Sequence, residues 1–593
     1  MNGRMNPSKR LTLVAVACLV TVALPAGTAM AQKTKTKPAQ TAQAATPIEV
    51  SIDIPTIETV ESSLDEAAIR DILTGNLAGN AEALAELDAT SITVPEVTVS
   101  FSGDAPGSFT LSDIVLENVE DGVAASVSMA GTRFEGGAEG SGEFGAFNAS
   151  DFDIGGILRY YGLAGATEQT ELRTIYRDFS YEGGTMTMPD GSCTFGAITS
   201  AEVKVRPLRY SFIDLMTVAR AMEEEADNPS PATIGQMMRI YADLFTSIES
   251  APIEFGGVEC DVPDSEGRRT NVAMDGMTIG AMQPGLYPAV SIDGLAIGVE
   301  GDGEIRIGNF SIKPMDLSGP IATVEAAPDT IDRAWLDANA RALIPAVGGL
   351  AFGDVSMDLP NPDAPDQRIV ASVGGFDLSL GNYINGIPSD LSTSATNIAF
   401  DLPADSTDEL VTQLLGLGVT AIDVGFRLDA AWNEANNSID LTELSVNGVD
   451  LADIKLTGTI ANATRTLFDL NPDAALAAGM VMAVKSLNLD VVDKGLSDLV
   501  LAGVAAEQGG DPAAMRPIFG GLAEGTVLGM MADAAEAQQV SGAVREFVSG
   551  VAKSLHIDMI AKQEPGIGLA DFMAAEANPA LLIGKVTINA TAE

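Results

Sequence analysis

The side chains of this chain that could do chemistry are few, and His556 is its only histidine. One histidine cannot supply a His-rich zinc site or a two-histidine iron site. It could act as a lone general base. The chain, however, has no Gly-x-Ser-x-Gly, no P-loop and no Gly-x-Gly-x-x-Gly that opens a helix after a strand. The sequence therefore predicts no catalytic residue, no metal ligand and no cofactor, and a structural role for His556.

Carboxylates are abundant, with 82 Asp and Glu against 33 Lys and Arg. Paired carboxylates could hydrolyse glycosidic bonds, but among so many acids some pair occurs at any chosen spacing. Two acidic turns could hold calcium, one with Asp261, Asp264 and Glu266 and one with Asp302 and Glu304. Neither has the ligand spacing and glycine of an EF-hand loop, so we interpret both as solvated turns.

The two cysteines that follow the N-terminal segment, Cys193 and Cys260, lie beside Pro/Asp turns near segments that resemble strands. In an oxidising compartment an even pair is more often bridged than free. We therefore predict a structural disulfide between them.

That compartment is indicated by the first residues, which have the layout of a secretory signal peptide. A basic end with Arg4, Lys9 and Arg10 precedes an apolar run from Leu11 to Leu24 and a small-residue site that ends at Ala31. The expectation is export to the periplasm with cleavage after Ala31. Residues 32–47 then form a flexible tether without apolar periodicity.

Two other interpretations of the N-terminal segment stay open. Cys18 follows Ala-Val-Ala and could be a lipidation site, and the apolar run is close to the ~20 residues that a membrane anchor needs. Pro25 and the small-residue site favour cleavage. After removal of the signal no membrane span is expected, because the apolar window Ala474–Val484 is too short.

The net charge of −49 excludes nucleic acid as a partner, because phosphate binding needs a basic face. It also disfavours docking on anionic lipid by charge alone. The acids are spread over a chain that is 46% hydrophobic, which indicates a folded protein with an acidic surface and not a disordered one.

Alternating apolar residues dominate the rest of the sequence and predict strands that bury one face. Pairs such as Asp121-Gly122 and Asp293-Gly294 predict hairpin turns between them. The predicted fold class is α+β: a mainly antiparallel β meander, as an extended sheet or a sandwich, with helical insertions and a helical C-terminal region. Whether the sheet is an open groove or closed stays open at this point.

The patterns also suggest a domain organisation. We predict a β-rich domain over residues 48–325 with a helical hairpin near 211–250, a second β-rich module over 326–470, and a mainly helical region over 471–593 that closes with a strand. Val203–Leu208 and Phe310–Met315 resemble each other, each with a strand, a basic residue and Pro. A duplication and a chance likeness of amphipathic strands both remain possible explanations.

Near the C-terminus a strand, a helical region and a last strand follow one another, in Val484–Leu489, Asp493–Leu496, Met515–Pro517, Phe547–Gly550 and Asn578–Leu582. In this layout the last quarter of the chain resembles a group of exported, uncharacterised proteins of Gram-negative alphaproteobacteria. This resemblance gives no assigned activity to carry over to the chain. The strand-rich body is similar in style to AsmA-like envelope proteins, and this resemblance implies a β-groove that holds apolar lipid chains.

Together these observations predict a non-enzymatic periplasmic envelope protein. It would bind an apolar ligand, such as a lipid, or an envelope protein through an amphipathic sheet. The alternative is a carboxylate-based hydrolase acting on envelope polysaccharide. The sequence does not indicate an oligomeric state.

Overall fold

The fold is described from a computed structural model over residues 50–103, 106–165, 170–225, 229–264, 267–361, 364–404, 406–508, 510–531, 534–577 and 580–593. The predicted signal peptide (1–31) and tether (32–47) lie outside these residues. The chain divides into two compact units. Among the described residues, the first contains residues 50–292 and Ala327–Ile331, and the second contains Asp293–Ala326 and Asp332–Glu593.

The first unit is mainly antiparallel strand. Its strands are β1 (Val50–Asp53), β2 (Glu58–Val60), β3 (Ala89–Phe101), β4 (Gly107–Glu120), β5 (Val123–Met129), β6 (Gly131–Glu135), β7 (Ser141–Phe144), β8 (Phe147–Asp153), β9 (Arg173–Tyr181), β10 (Gly184–Met188), β11 (Gly191–Phe195), β12 (Ile198–Val205), β13 (Ile248–Ser250), β14 (Ile253–Phe255), β15 (Val258–Pro263), β16 (Arg269–Met274), β17 (Gly276–Ile279) and β18 (Leu286–Tyr287). Its helices are α1 (Glu66–Leu73), α2 (Ala81–Ala85), α3 (Ile154–Tyr160), α4 (Phe212–Glu224) and α5 (Pro231–Thr246). The division between the units falls within β19 (Val290–Val299).

The second unit is also mainly strand, with its helices concentrated toward the C-terminus. Its strands are β20 (Gly303–Ile312), β21 (Met315–Asp316), β22 (Ala346–Val347), β23 (Gly349–Asn361), β24 (Ala364–Gly381), β25 (Asp390–Asp401), β26 (Ala421–Asn433), β27 (Ser438–Gly448), β28 (Ala452–Ala461), β29 (Ala483–Asp493), β30 (Ser554–Ala561), β31 (Ile567–Gly568) and β32 (Val586–Ala592). Its helices are α6 (Ser318–Glu325), α7 (Arg333–Asn339), α8 (Glu409–Gly416), α9 (Pro472–Met480), α10 (Leu496–Gln508), α11 (Pro512–Met530), α12 (Ala537–Val548), α13 (Leu569–Ala577) and α14 (Ala580–Ile583).

The predicted α+β class is confirmed, and the predicted turn at Asp121-Gly122 joins β4 to β5. The turn predicted at Asp293-Gly294 is wrong, because both residues lie inside β19. A Gly or Asp within a strand commonly marks a bulge or bend, and sequence alone does not separate this case from a turn. The three predicted domain boundaries stay predictions.

Several strands of the first unit form long ribbons that break near their middle. β7 and β8, β9 and β10, and β11 and β12 each form one such ribbon with a short gap. Glycine lies at these gaps because the neighbouring backbone comes too close for a side chain. A Cβ on Gly183 would lie 1.8 Å from the carbonyl oxygen of Phe195. The breaks let each ribbon bend without losing its pairing.

One end of the first unit has a closed hydrophobic core. Ile92, Val94, Val97 and Val99 of β3 are buried together with Ile69 of α1. Helix α1 begins at the N-cap Asp65, whose side chain accepts a hydrogen bond from the backbone N–H of Ala68 at 2.8 Å.

A buried ion pair joins the end of β12 to helix α5 in the same unit. Asp243 has a side chain only 1% exposed and lies 2.8 Å from a guanidinium nitrogen of Arg206. The backbone N–H of Arg209 also donates to Asp243, at 2.6 Å. Arg206 donates further to Thr246 at 2.7 Å. The chain leaving β12 is therefore anchored to the helix by charged hydrogen bonds that water does not reach.

The two predicted disulfide partners face each other on neighbouring strands. Cys193 of β11 is directly paired with Cys260 of β15, and their Cα atoms are 4.0 Å apart. The structure thus places the cysteines at disulfide-bonding distance. The sheet itself brings them together, because the register of β11 and β15 places each cysteine directly opposite the other.

We expect the exported protein to carry this bond, so non-reducing peptide mapping should recover Cys193 joined to Cys260. The bond closes a loop with a sequence separation of 67 residues. In the chain-entropy model such a cross-link contributes about 4 kcal/mol to the free energy of unfolding. A double Cys193→Ser/Cys260→Ser variant should therefore unfold at clearly lower urea concentration. Two free thiols in periplasmic material would contradict the prediction.

The second unit is a meander in which ten described strands pair antiparallel in the order β20, β23 to β30 and β32. A row of irregular positions crosses its middle at one level, where Gly alternates with Asp or Asn on successive strands: Gly308, Asp354, Gly374, Asn397, Gly425 and Asn447. Asp354 and Asn397 have positive φ values of 52° and 49°. Asx residues tolerate this conformation, and the adjacent glycines leave room for their side chains.

Candidate functional site

The sheet of the second unit has one apolar face that continues from strand to strand. Directly paired residues on this face are almost all hydrophobic, as in the pairs Phe352–Phe376, Val373–Ile398, Phe400–Ile422, Phe426–Val446 and Leu456–Leu489. Because side chains alternate between the two faces of a strand, an unbroken row of apolar pairs defines one surface. We call it the apolar face.

Much of the apolar face is partly exposed to solvent. Its largest exposures are found from β24 to β28, for Ile369 at 39%, Phe400 at 40%, Phe426 at 36%, Leu444 at 40%, Val446 at 51% and Ile454 at 42%. From β20 to β28, the buried side chains of the face in the described part of the chain are the small ones of Ala395 and Ala452, and most of the others are half-buried. A single exposed apolar residue needs no explanation, but a contiguous surface of this size does.

The same face is closed at the C-terminal strands. There α12 packs against β30 and β32, and Val540 and Ala543 of the helix are buried with Leu555 and Ala590 of the strands. The chain therefore covers the C-terminal end of its apolar face with its own helices. From β20 to β28 the cover is smaller: Phe468 packs on Trp432 of β26, while the side chains named above stay exposed.

The opposite face is polar and carries ion pairs along the same strands. Examples are Lys313 with Asp377 at 2.6 Å, Arg427 with Asp429 at 2.5 Å and Arg368 with Asp358 at 2.6 Å. Hydrogen bonds with Lys313 and Ser379 oppose the effect of burial on Asp377 and lower the pKa of its carboxyl group. Several charges of this face are thus paired within the sheet.

A large open cavity lies where the ends of these strands meet the loop after α8 and the start of α10. Its volume is about 1000 Å³, which is at the upper limit for small-molecule sites. The apolar part of its lining comes from Met357, Phe400, Leu417, Val449 and Leu499. The cavity thus adjoins the edge of the apolar face at Phe400.

His556 lies on the polar face, away from the apolar one. Its Nδ1 is 2.5 Å from Asp490 and its Nε2 is 3.0 Å from Asp558, so two carboxylates hold the ring. The hydrogen bond to Asp490, together with a weaker one to Asp558, raises the pKa of His556 above its usual value near 6.5. The ring thus links β30 to β29 through Asp490, and a structural role for His556 stays a prediction.

This geometry predicts a pH dependence of stability. Because the pKa of His556 is higher in the folded than in the unfolded chain, its contribution is complete below about pH 6.5 and is lost as the pH rises through the folded value. A His556→Gln variant should melt below the parent at pH 6, and the difference should shrink at pH 9. An equal difference in melting temperature at pH 6 and pH 9 would contradict the ion-pair interpretation.

The other candidate residues from the sequence are held in local ion pairs. Asp261 pairs with Arg269, and Asp264 pairs with Arg268 at 2.8 Å. Glu304 pairs with Arg306 at 2.7 Å, and Glu266 lies outside the described residues. Among the residues that the structure describes, no group of three or more His, Cys, Asp or Glu side chains could hold a metal ion.

What the sequence patterns did not reveal is the openness of the sheet. The alternation of apolar residues indicates which side of each strand is hydrophobic, but not whether anything covers it. The signal that was available is the long stretch from 349 to 461, in which successive strands offer few helical segments to pack on the face. In the described part of the chain no helix is long and apolar enough to cross a membrane.

Comparison with known proteins adds one match. Residues 445–593 match a protein family described as "Uncharacterized protein". No curated protein matches the chain. The matched segment begins in β27 and contains the covered end of the sheet together with helices α9 to α14.

Proposed function

We propose that this chain is a non-enzymatic periplasmic protein of the cell envelope that binds the acyl chains of a lipid on its apolar face. The observation that carries the proposal is the continuous hydrophobic surface from β20 to β28, which is partly exposed to solvent, whereas the C-terminal end of the same face is covered by helices. A contiguous exposed hydrophobic surface stands out in a chain with a net charge of −49. Such surfaces commonly mark binding sites, so we expect this one to have a ligand.

The shape and chemistry of the face favour a long aliphatic ligand. Seven strands from β20 to β28 at about 4.8 Å spacing extend it over roughly 30 Å. Its lining is mostly aliphatic and aromatic, and most of the hydrogen-bonding side chains of these strands point to the other face. A small polar substrate would find few partners there, whereas a hydrocarbon chain needs only apolar contact. The similarity in style to AsmA-like envelope proteins agrees with this ligand class.

Lipid extraction tests the proposal. The protein is purified without detergent from the periplasmic fraction of cells that export it, and its organic extract is analysed by mass spectrometry. We expect acyl lipid in near-stoichiometric amount, and none in a reference periplasmic protein purified in parallel. A ligand-free protein that also fails to take up a fluorescent fatty acid would overturn the proposal. Release of soluble sugar from envelope polysaccharide would instead support the hydrolase alternative.

A further inference from the structure

Helix α11 presents an uncharged outer surface. Ile518, Leu522 and Met530 on this surface are 62%, 60% and 53% exposed, and the remaining exposed positions between residues 513 and 530 are Ala, Pro, Gly and Thr. These residues recur at i and i+4, so they form one stripe along a helix of 19 residues, or about 28 Å. An exposed helix surface without charge is unusual in so acidic a chain.

The polar groups of α11 do not interrupt this stripe. Its two charged residues are engaged elsewhere: Arg516 pairs with Asp498 of α10, and Glu524 lies 3.5 Å from Arg545 of α12. The hydroxyl of Thr526 donates to the carbonyl oxygen of Leu522 at 2.9 Å. The surface therefore offers neither charge nor a free hydrogen-bond donor.

We infer that the outer surface of α11 docks on a neutral, zwitterionic lipid bilayer. Protein interfaces of ordinary size use hydrogen bonds and are rich in Arg and Tyr, and this surface has none of these features. A second copy would bring a net charge of −49 against an equal charge. Docking on a zwitterionic bilayer requires only apolar side chains at the headgroup boundary. Such a bilayer also does not repel an acidic protein, as anionic lipid does.

The position of α11 connects this surface with the proposed lipid site, and to this extent the inference rests on the proposed function. The ion pair of Arg516 with Asp498 joins α11 to α10, and Leu499 and Ala502 of α10 line the cavity beside the apolar face. Docking through α11 would therefore bring the cavity near the membrane from which a lipid enters or to which it returns.

Vesicle flotation tests the docking. The exported chain is mixed with phosphatidylcholine vesicles, alongside an Ile518→Glu/Leu522→Glu variant and a Val60→Glu/Ile344→Glu control that adds the same charge at exposed apolar residues elsewhere. We expect the parent and the control to float with the vesicles. The α11 variant should bind at least about 100-fold more weakly, since two large side chains lose their transfer into lipid.

Three results would overturn the inference: a parent chain that does not float, an α11 variant that floats like the parent, or a parent dimer that the α11 variant converts to monomer in sedimentation velocity. The last would assign the surface to a second copy, whose helix the exposed glycines Gly521, Gly525 and Gly529 could admit.

A second measurement does not depend on the folding of the charged variant. A polarity-sensitive fluorophore on Leu522→Cys should shift to the blue when vesicles are added, and one on Ile344→Cys should not. The two proposals also fail separately. A chain that floats but yields no lipid on extraction contradicts the lipid-binding function alone, and a chain that yields lipid but does not float contradicts the docking alone.

Discussion

Replacing Asp243 by alanine is expected to lower the free energy of unfolding by about 3–5 kcal/mol. The change would leave Arg206, whose side chain is 10% exposed, as an unpaired charge in the interior. It would also remove the acceptor for the backbone N–H of Arg209. Urea unfolding of the full chain measures the loss.

Two further variants test whether the ion pair of Arg206 and Asp243 behaves as a buried pair or as a solvent-exposed one. Asp337→Ala breaks the pair of Asp337 with Arg333, whose side chains are 65% and 88% exposed, and should cost about 0.5 kcal/mol or less. An Arg206→Met/Asp243→Leu double variant should recover most of the stability, because it removes both buried charges together. If Asp243→Ala behaves like Asp337→Ala, water reaches the pair and the assignment of a buried anchor is wrong.

The largest expected functional effect comes from placing a charge on the apolar face. A Val446→Lys variant should contain at least about tenfold less co-purified lipid than the parent, because an ammonium group in contact with a hydrocarbon chain is desolvated without a partner. Val446 is 51% exposed, so its substitution should leave the melting temperature nearly unchanged.

The matched control is Thr396→Lys, which adds the same charge at an exposed position on the polar face of β25. Lipid content measured by mass spectrometry should be the same in this control and in the parent. Equal lipid in both variants would show that the ligand does not lie on the apolar face and would overturn the proposed site.

Much of the fold could be predicted because strand alternation is a local property. The alternation at Ile422, Val424, Phe426 and Leu428 indicated a strand, and these residues do form one side of β26. Helix α4 lies where the sequence predicts the first helix of the hairpin near residues 211–250. Its cap residue Ser211 and its apolar spacing are local signals as well.

The features that determine the site were not predictable in this way. The row of irregular positions at Asp354, Gly374 and Asn397 depends on the register of three strands and has no signature within any one of them. The basic residues of the two similar segments, Arg206 and Lys313, were noted as a pattern. Their partners Asp243 and Asp377 lie 37 and 64 positions away, and only the fold brings them together. Whether the similarity reflects a duplication stays a prediction.

The order of strands in the second unit has a consequence for how such a protein can change over evolution. From β23 to β29 each strand pairs with the next one along the chain, so one hairpin can be inserted or deleted without rerouting any connection. Each added hairpin lengthens the surface by about 10 Å. Native contacts that stay close in sequence also keep the entropy of chain closure small during folding. The width of the apolar face is therefore a quantity that selection can adjust in uniform steps.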